Sequence, residues 1–321
     1  MPVNRRGVPS RSGLHTLVMD SLADQVAIID ASGAIVDLNA AWLRFIRVNR
    51  IPAEFSLPGK PYLDLVAAAA SPGASHVVDV GRGIRTMLSG QRREFRVEYP
   101  VRASGRERWM LMRVIRLDAT PDPMFVVSQF DITERRNAED EAWRLAHHDS
   151  LTGLANRRHF DETFESEFRR NKRRRSEISL IVLDVDSFKK YNDTHGHVAG
   201  DRCLVRIAGI LSTYSRRPGD LAARFGGDEF ALILGDTDYD AAGRIAQGVR
   251  RSVENLGMCF GSTGEIITVS VGAVTAMASA VDSAKDLLAA ADRALYQAKS
   301  AGRNRTAHQR IAIDAKAAAV Y

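Results

Sequence analysis

Cysteine is nearly absent from this chain: its 321 residues include only Cys203 and Cys259. They have neither metal nor redox spacing, so nothing suggests a disulfide scaffold or a thiolate metal centre. No stretch approaches the roughly 20 consecutive apolar residues that a bilayer span requires, so no membrane span is expected. Internal repeats and low-complexity tracts are also missing, which sets aside solenoids and compositionally biased linkers. Residues 1–12 carry Arg5, Arg6 and Arg11 with no apolar run behind them. That makes a poor secretory signal, so residues 1–13 are expected to be a flexible tail and the compartment cytoplasmic.

What is present is globular: 45% hydrophobic and 26% charged residues, with length enough for two domains of ordinary size. A net charge of +6 invites a nucleic-acid reading. Much of that charge sits in short runs such as Arg169–Arg175, with no aromatic interleaving and no helix-turn-helix pattern. Such a run is usually the solvated end of a helix, so no nucleic-acid partner is expected. The charge suits a small anionic substrate equally well.

Polarity patterns divide the chain in two. In the first half, Val26–Asp30 and Ile35–Leu38 read as strands turning at Ser32-Gly33, and Asn39 can cap a helix over Ala40–Val48. Arg93–Val101, Arg108–Leu117 and Met124–Phe130 follow as three alternating strands. The expectation is α+β, a sheet with helices on one face. This order, closing on Asp131-Ile132-Thr133-Glu134-Arg135, resembles a PAS domain over residues 14–133. Residues 134–148 are charged and helix-prone, with Ala138, Ala142 and Leu145 at heptad-like spacing. They read equally as half of a paired signalling helix or as a lone amphipathic linker. The PAS-like half contains no cysteine, which excludes cysteinyl-flavin photochemistry. It could hold an unknown small ligand, or a haem on His76, though a lone histidine is more often structural.

The second half carries the chemistry. Ser179–Asp186 (SLIVLDVD) is a continuous apolar run, hence a buried strand, with Asp184 and Asp186 on one face at its end. Two carboxylates there either repel or share a hard cation such as Mg²⁺, although Asp186 could instead cap the following helix. Leu221–Leu234 (LAARFGGDEFALIL) reads as two strands joined by Gly226-Gly227, with Asp228 and Glu229 directly after the turn. Between these lies Phe188–His197, where Lys189 stands about one turn from the acidic strand end. Asn192 and Asp201 together offer the donors and acceptors that read a guanine edge. Leu287–Arg303 is a strong helix ending in Lys299 and Arg303, cations able to answer the helix dipole or to clamp phosphates.

Taken in order, these motifs resemble the GGDEF family of diguanylate cyclases over residues 149–312, leaving 313–321 as a C-terminal tail. They run from Asp149-Ser150-Leu151-Thr152-Gly153-Leu154 and Leu183-Asp184-Val185-Asp186-Ser187-Phe188-Lys189 to Arg224-Phe225-Gly226-Gly227-Asp228-Glu229-Phe230 and Ala291-Asp292-Arg293-Ala294-Leu295-Tyr296. The resemblance implies a domain like the nucleotide cyclase and polymerase palm core, with a central antiparallel sheet. It also implies a Mg²⁺-dependent (or Mn²⁺-dependent) homodimer that condenses two GTP into cyclic di-GMP. Asp184, the Val185 carbonyl, Asp228 and Glu229 match the metal ligands, and Asp228 also matches the proposed base. Lys189 matches the residue that steadies phosphate charge. Asn192 and Asp201, with His197 nearby, match the guanine contacts, and Lys299 and Arg303 the phosphate clamp. Arg217 and Asp220 fit an RxxD site at which the product, cyclic di-GMP, inhibits. His195 departs from the family, which often has an aromatic residue there.

Overall fold

The computed structural model describes residues 11–70, 76–103, 106–117, 122–261 and 264–311. The tails expected at residues 1–13 and 313–321 fall largely or wholly outside them. The chain divides into two compact units, residues 1–140 and 141–321. Each is described by itself.

In the first unit, helix α1 (Arg11–Ser21) precedes a hairpin of β1 (Gln25–Ile29) and β2 (Ile35–Leu38). Helix α2 (Ala40–Val48) follows, and Asn39 caps it by accepting from the Trp42 N–H at 3.1 Å. Two helices, α3 (Tyr62–Ala69) and α4 (His76–Leu88), come next, in a stretch whose residue pattern does not predict them. Strands β3 (Glu94–Ala103), β4 (Arg106–Leu117) and β5 (Met124–Asp131) complete an antiparallel sheet in the order β2-β1-β5-β4-β3. Alternate residues of β4 and β5 point inward. Met112, Val114, Phe125 and Val127 pack with Trp42, Tyr62, Leu65, Ile84 and Met87 in one core. The other face carries partly exposed apolar residues such as Leu111, Ile115, Val126 and Phe130 together with charged ones. Arg96 and Arg113 stand directly opposite each other on β3 and β4, and Glu94 relieves their repulsion with contacts of 2.6 and 2.7 Å.

Helix α5 (Thr133–His147) has no buried residue, and Ala138, Ala142 and Leu145 are all exposed on it. The division between the units falls within this helix.

The second unit begins with α6 (Arg157–Arg174), capped by Asn156; the basic run ends in its exposed last turn. Then come β6 (Glu177–Asp186), α7 (Phe188–His195), α8 (His197–Tyr214), β7 (Leu221–Gly226), β8 (Glu229–Gly235) and α9 (Tyr239–Glu254). A short ribbon of β9 (Cys259–Phe260) and β10 (Glu265–Ile266), then β11 (Thr268–Met277), α10 (Ala284–Ser300) and β12 (Thr306–Ile311), finish the unit. The main sheet runs β12-β11-β6-β8-β7. It is antiparallel, as expected of its centre, except at one edge, where β11 and β12 are parallel. The α10 crossover explains it, because a helix between two strands returns the chain in the same direction.

This sheet is buried on both faces. Ile181, Leu183 and Val185 of β6 face a core with Leu204 and Ile207 of α8 and Val249 of α9. Ile178, Leu180 and Val182 face the other core, with Phe160 and Phe164 of α6 and Leu287 and Ala290 of α10. At Gly272 of β11 an added Cβ would lie 2.2 Å from the Leu295 N atom, so glycine lets α10 lie directly on the strand.

Candidate active site

The period-2 geometry of β6 puts Asp184 and Asp186 on the face that carries α10. They do different work. Asp186 is buried and accepts three hydrogen bonds: Ser270 Oγ and Thr268 Oγ1, each at 2.7 Å, and the Asn304 N–H at 3.1 Å. A carboxylate buried without such partners would cost several kcal/mol, so the polar start of β11 is what makes Asp186 tolerable there. This corrects two expectations. Asp186 does not cap α7, whose N-cap is Ser187 in a left-handed conformation without a side-chain bond. Nor is it spare to share a cation with Asp184.

Asp184 faces a cation instead: Lys299 Nζ at the end of α10 lies 2.7 Å from its Oδ2. Burial raises the Asp184 pKa, the Lys299 contact opposes this, and the charges of Asp228 and Glu229 add to the rise. Glu229 is the direct cross-strand partner of Asp184 on β8. The turn joining β7 to β8 is Gly227-Asp228, one residue later than the glycine pair suggested, because Gly226 already pairs with Glu229. Gly226 and Gly227 have φ of 145° and 56°, values costly for other residues. The turn thus frees Asp228 from strand alternation, and its carbonyl accepts from the Val185 N–H at 3.2 Å. Two residues given no individual role by the motif reading hold this turn. Arg224 donates to the Gly227 carbonyl at 2.7 Å (Nη2) and 3.0 Å (Nε), and pairs with Asp149 at 3.0 Å.

Among the described residues, no group of three His, Cys, Asp or Glu side chains converges closely enough to hold a metal alone. The donor chemistry nevertheless fits Mg²⁺. The donors are hard oxygens, and the partial set matches an ion that keeps waters and takes phosphate oxygens from a substrate.

The remaining cationic and base-reading candidates stand on α7, at the start of α8 and just beyond α10. Lys189, on the first turn of α7, is exposed, with no ion pair among the described residues. Asn192 is half-buried, and its Oδ1 has no hydrogen-bond partner. An added Cβ at Gly200 would sit 1.8 Å from that oxygen, so only glycine leaves room for it. His197 and Asp201, both in the first turns of α8, are exposed, as is Arg303 beyond α10. His195 hydrogen-bonds through Nε2 to the Cys259 carbonyl at 3.0 Å and packs its ring 4.9 Å from Tyr191.

Arg217 and Asp220 close a small turn before β7, with the Arg217 N–H donating to Asp220 Oδ2 at 3.2 Å and the Asp220 N–H to the Arg217 carbonyl at 3.0 Å. Burial raises the Asp220 pKa, and its Oδ1 has no partner. The length of β7 separates this turn from the acidic one by roughly 20 Å.

The first unit holds a separate cavity of about 250 Å³, lined by Gln25, Arg44, Phe45, Met110 and Gln129 among others. A chamber of about 20 Å³ adjoins it, walled by Trp42, His76 and Tyr99. The Gln25 Oε1 and Trp42 Nε1 atoms are buried there without partners. The His76 ring stacks on Tyr99 at 4.7 Å, and burial lowers its pKa. The chamber beside it is about the size of one water molecule among the described residues.

Comparison with known proteins agrees with this geometry. The model for "Diguanylate cyclase, GGDEF domain" matches residues 146–305, and the "PAS fold" model matches residues 19–137. The chain is 38% identical over 184 residues to diguanylate cyclase DgcM of Escherichia coli, covering 57% of this chain and 43% of that protein. It is 39% identical over 171 residues to the response regulator PleD of Caulobacter vibrioides, covering 53% and 37%. The matches thus span less than half the length of either relative. Among solved structures, the coiled coil and GGDEF domain of DgcB from Caulobacter crescentus, in complex with c-di-GMP, aligns with a TM-score of 0.51 at 32% identity. That alignment covers 56% of this chain and 93% of the DgcB one. No helix among the described residues is long and apolar enough to cross a membrane. With its acidic strand end, its glycine turn and these matches, the chain belongs to the GGDEF family.

Proposed function

We propose that this chain is a diguanylate cyclase, condensing two GTP into cyclic di-GMP and two pyrophosphates, with its catalytic domain at residues 149–312. The observation that carries the reading is the β6 end, where Asp184, Asp228 and Glu229 gather negative charge beside the Lys299 ammonium. Asp184, the Val185 carbonyl, Asp228 and Glu229 would hold Mg²⁺. When bound, the ion would neutralise phosphate charge and ease loss of pyrophosphate. Lys189, Lys299 and Arg303 bind the triphosphate. Asn192 and Asp201 hold the guanine, with His197 beside them; the unpartnered Asn192 Oδ1 is an acceptor awaiting a donor. Asp228 takes the proton from the 3′-hydroxyl as that oxygen attacks the α-phosphate of the other GTP. One site holds one GTP, so two catalytic domains must face each other, and the working form is a homodimer.

Regulation is assigned to two places. Arg217 and Asp220 bind the product and lower the rate. The unpartnered Asp220 Oδ1 fits a guanine N–H donor, and the Arg217 side chain fits a phosphate. Residues 14–133 are a sensor domain whose cavity takes a small ligand, and residues 134–148 carry its signal. The test is incubation of the full chain with GTP and Mg²⁺ at low protein concentration. Cyclic di-GMP should form at a rate that slows as it accumulates, and Arg217→Ala should remove the slowing without raising the initial rate. Absence of product from the wild-type chain overturns the enzymatic reading; unchanged slowing in Arg217→Ala returns that segment to an ordinary turn.

A further inference from the structure

The segment between α10 and β12 has a run of positive φ angles that Gly302 and Asn304 accept but Arg303 disfavours. Gly302, Arg303 and Asn304 have φ of 112°, 58° and 45°. Two successive non-glycine residues in this region persist only where surrounding contacts impose the conformation. Here the contacts are specific. The Arg303 N–H donates to the Ala298 carbonyl at 3.1 Å, closing the end of α10. The Asn304 N–H donates to the buried Asp186 Oδ2 at 3.1 Å. The Asn304 side chain is held at both ends. Its Oδ1 accepts from Arg250 Nη1 at 2.8 Å and its Nδ2 donates to Glu254 Oε1 at 2.7 Å. Arg250 and Glu254 pair with each other on α9 at 2.8 Å.

The two carboxylates of β6 therefore fix the two ends of one segment. Asp184 holds the Lys299 ammonium, and Asp186 holds the Asn304 amide. Arg303 lies between these anchors, exposed, with its guanidinium making no ion pair or hydrogen bond among the described residues.

We propose that Asn304 is a positioning residue for nucleotide binding: by tying residues 302–304 to Asp186 and to the Arg250–Glu254 pair, it sets Arg303 beside Lys299 where both meet a triphosphate. This rests on reading Lys299 and Arg303 as the phosphate clamp. Asn304 touches no substrate atom and acts through Arg303. Asp186 supplies the fixed point because two hydrogen bonds, from Thr268 and Ser270 of β11, hold it against the sheet.

The test is a double-mutant cycle on the full chain, read as the Kd of the fluorescent analogue mant-GTP with Mg²⁺. Asn304→Ala should weaken binding about fivefold in the wild-type background and leave it unchanged in an Arg303→Ala background. Asn304→Gly should weaken it less, because glycine adopts positive φ without strain. Glu254→Ala should reproduce part of the loss and Glu254→Gln should restore it, since an amide oxygen still accepts from Asn304. Circular dichroism checks the fold, and Glu254→Ala carries the same cycle should Asn304→Ala not fold. Equal losses in both backgrounds, or wild-type affinity in Asn304→Ala, overturn the proposal. Failure of the cyclase reading looks different: mant-GTP binds and the cycle stays readable, yet no cyclic di-GMP forms. A wild-type chain that does not bind mant-GTP overturns both.

Discussion

Strands β5 and β6 are each the middle strand of a five-stranded sheet, yet they are buried in different ways. Inward residues of β5 alternate with partly exposed ones, because helices cover only one face of its sheet. In β6 a continuous run from Ile178 to Leu183 is buried, because helices cover both faces. In the first sheet a polar side chain can simply turn outward, as Glu94, Arg96 and Arg113 do. In the second it must be satisfied or be kept for a task. Asp186 is satisfied; Asp184 sits where the packing ends, answered by one lysine. Polar residues in a doubly covered sheet are therefore the more informative ones.

The sharpest way to break this contrast is Glu229→Gln, which removes a charge and no volume. Cyclic di-GMP formation should fall at least about 100-fold, with circular dichroism unchanged in both units. A near-normal rate would make Glu229 an ordinary exposed acid and leave the β6 end without a metal-binding role.

A smaller effect compares the two sheets through one glycine each. An added Cβ at Gly272 meets α10 backbone at 2.2 Å, whereas at Gly83 of α4 it meets the Phe95 ring at 2.0 Å. Overpacking costs about 1–3 kcal/mol. Gly272→Ala should lie at the upper end, since helix backbone must shift, and Gly83→Ala at the lower end, since a ring can turn away. Urea unfolding of the full chain, followed separately for each unit, measures both. The reverse order would show that the doubly covered sheet yields as readily as the open one.

The smallest effect is acid sensitivity in the first unit. Burial lowers the pKa of His76, so the unfolded chain binds its proton more readily than the folded unit does. By linkage, the His76 contribution is fully present above the unfolded value and is lost as pH falls below about 6.5. The unfolding midpoint of the first unit should drop on mild acidification, and His76→Phe, which keeps a ring against Tyr99, should flatten the drop. An equal drop in that variant would place the acid-sensitive group elsewhere.

Much of this molecule was legible from residue patterns. The Asn39 cap, the alternation of β4 and β5, the apolar run of β6 and the glycine turn are local features, and each follows from backbone sterics or from a one-face or two-face burial pattern. Helices α3 and α4 were not legible, because Tyr62–Ala69 is apolar nearly all round and Gly81 and Gly83 weaken the helical signal of α4. The roles of Asp184 and Asp186 were equally hidden, since strand alternation treats them alike. The available clue was Thr268 and Ser270 opening an otherwise apolar strand, but which carboxylate they would meet depended on the β6–β11 register.

By itself, then, the sequence determined the inventory: two sheets, a glycine turn carrying two acids, an acidic strand end, a helix ending in cations, and the family to which these belong. Short-range sterics and hydrophobic periodicity are enough for that, because they act between residues near in sequence. Tertiary structure alone decided which acid is structural and which remains available, that the turn falls at Gly227-Asp228, and that Asn304 joins β6 to α9. The first and last of these depend on strand register and helix packing between residues 50 to 118 positions apart, where burial of a carboxylate is tolerated only if distant donors arrive to meet it.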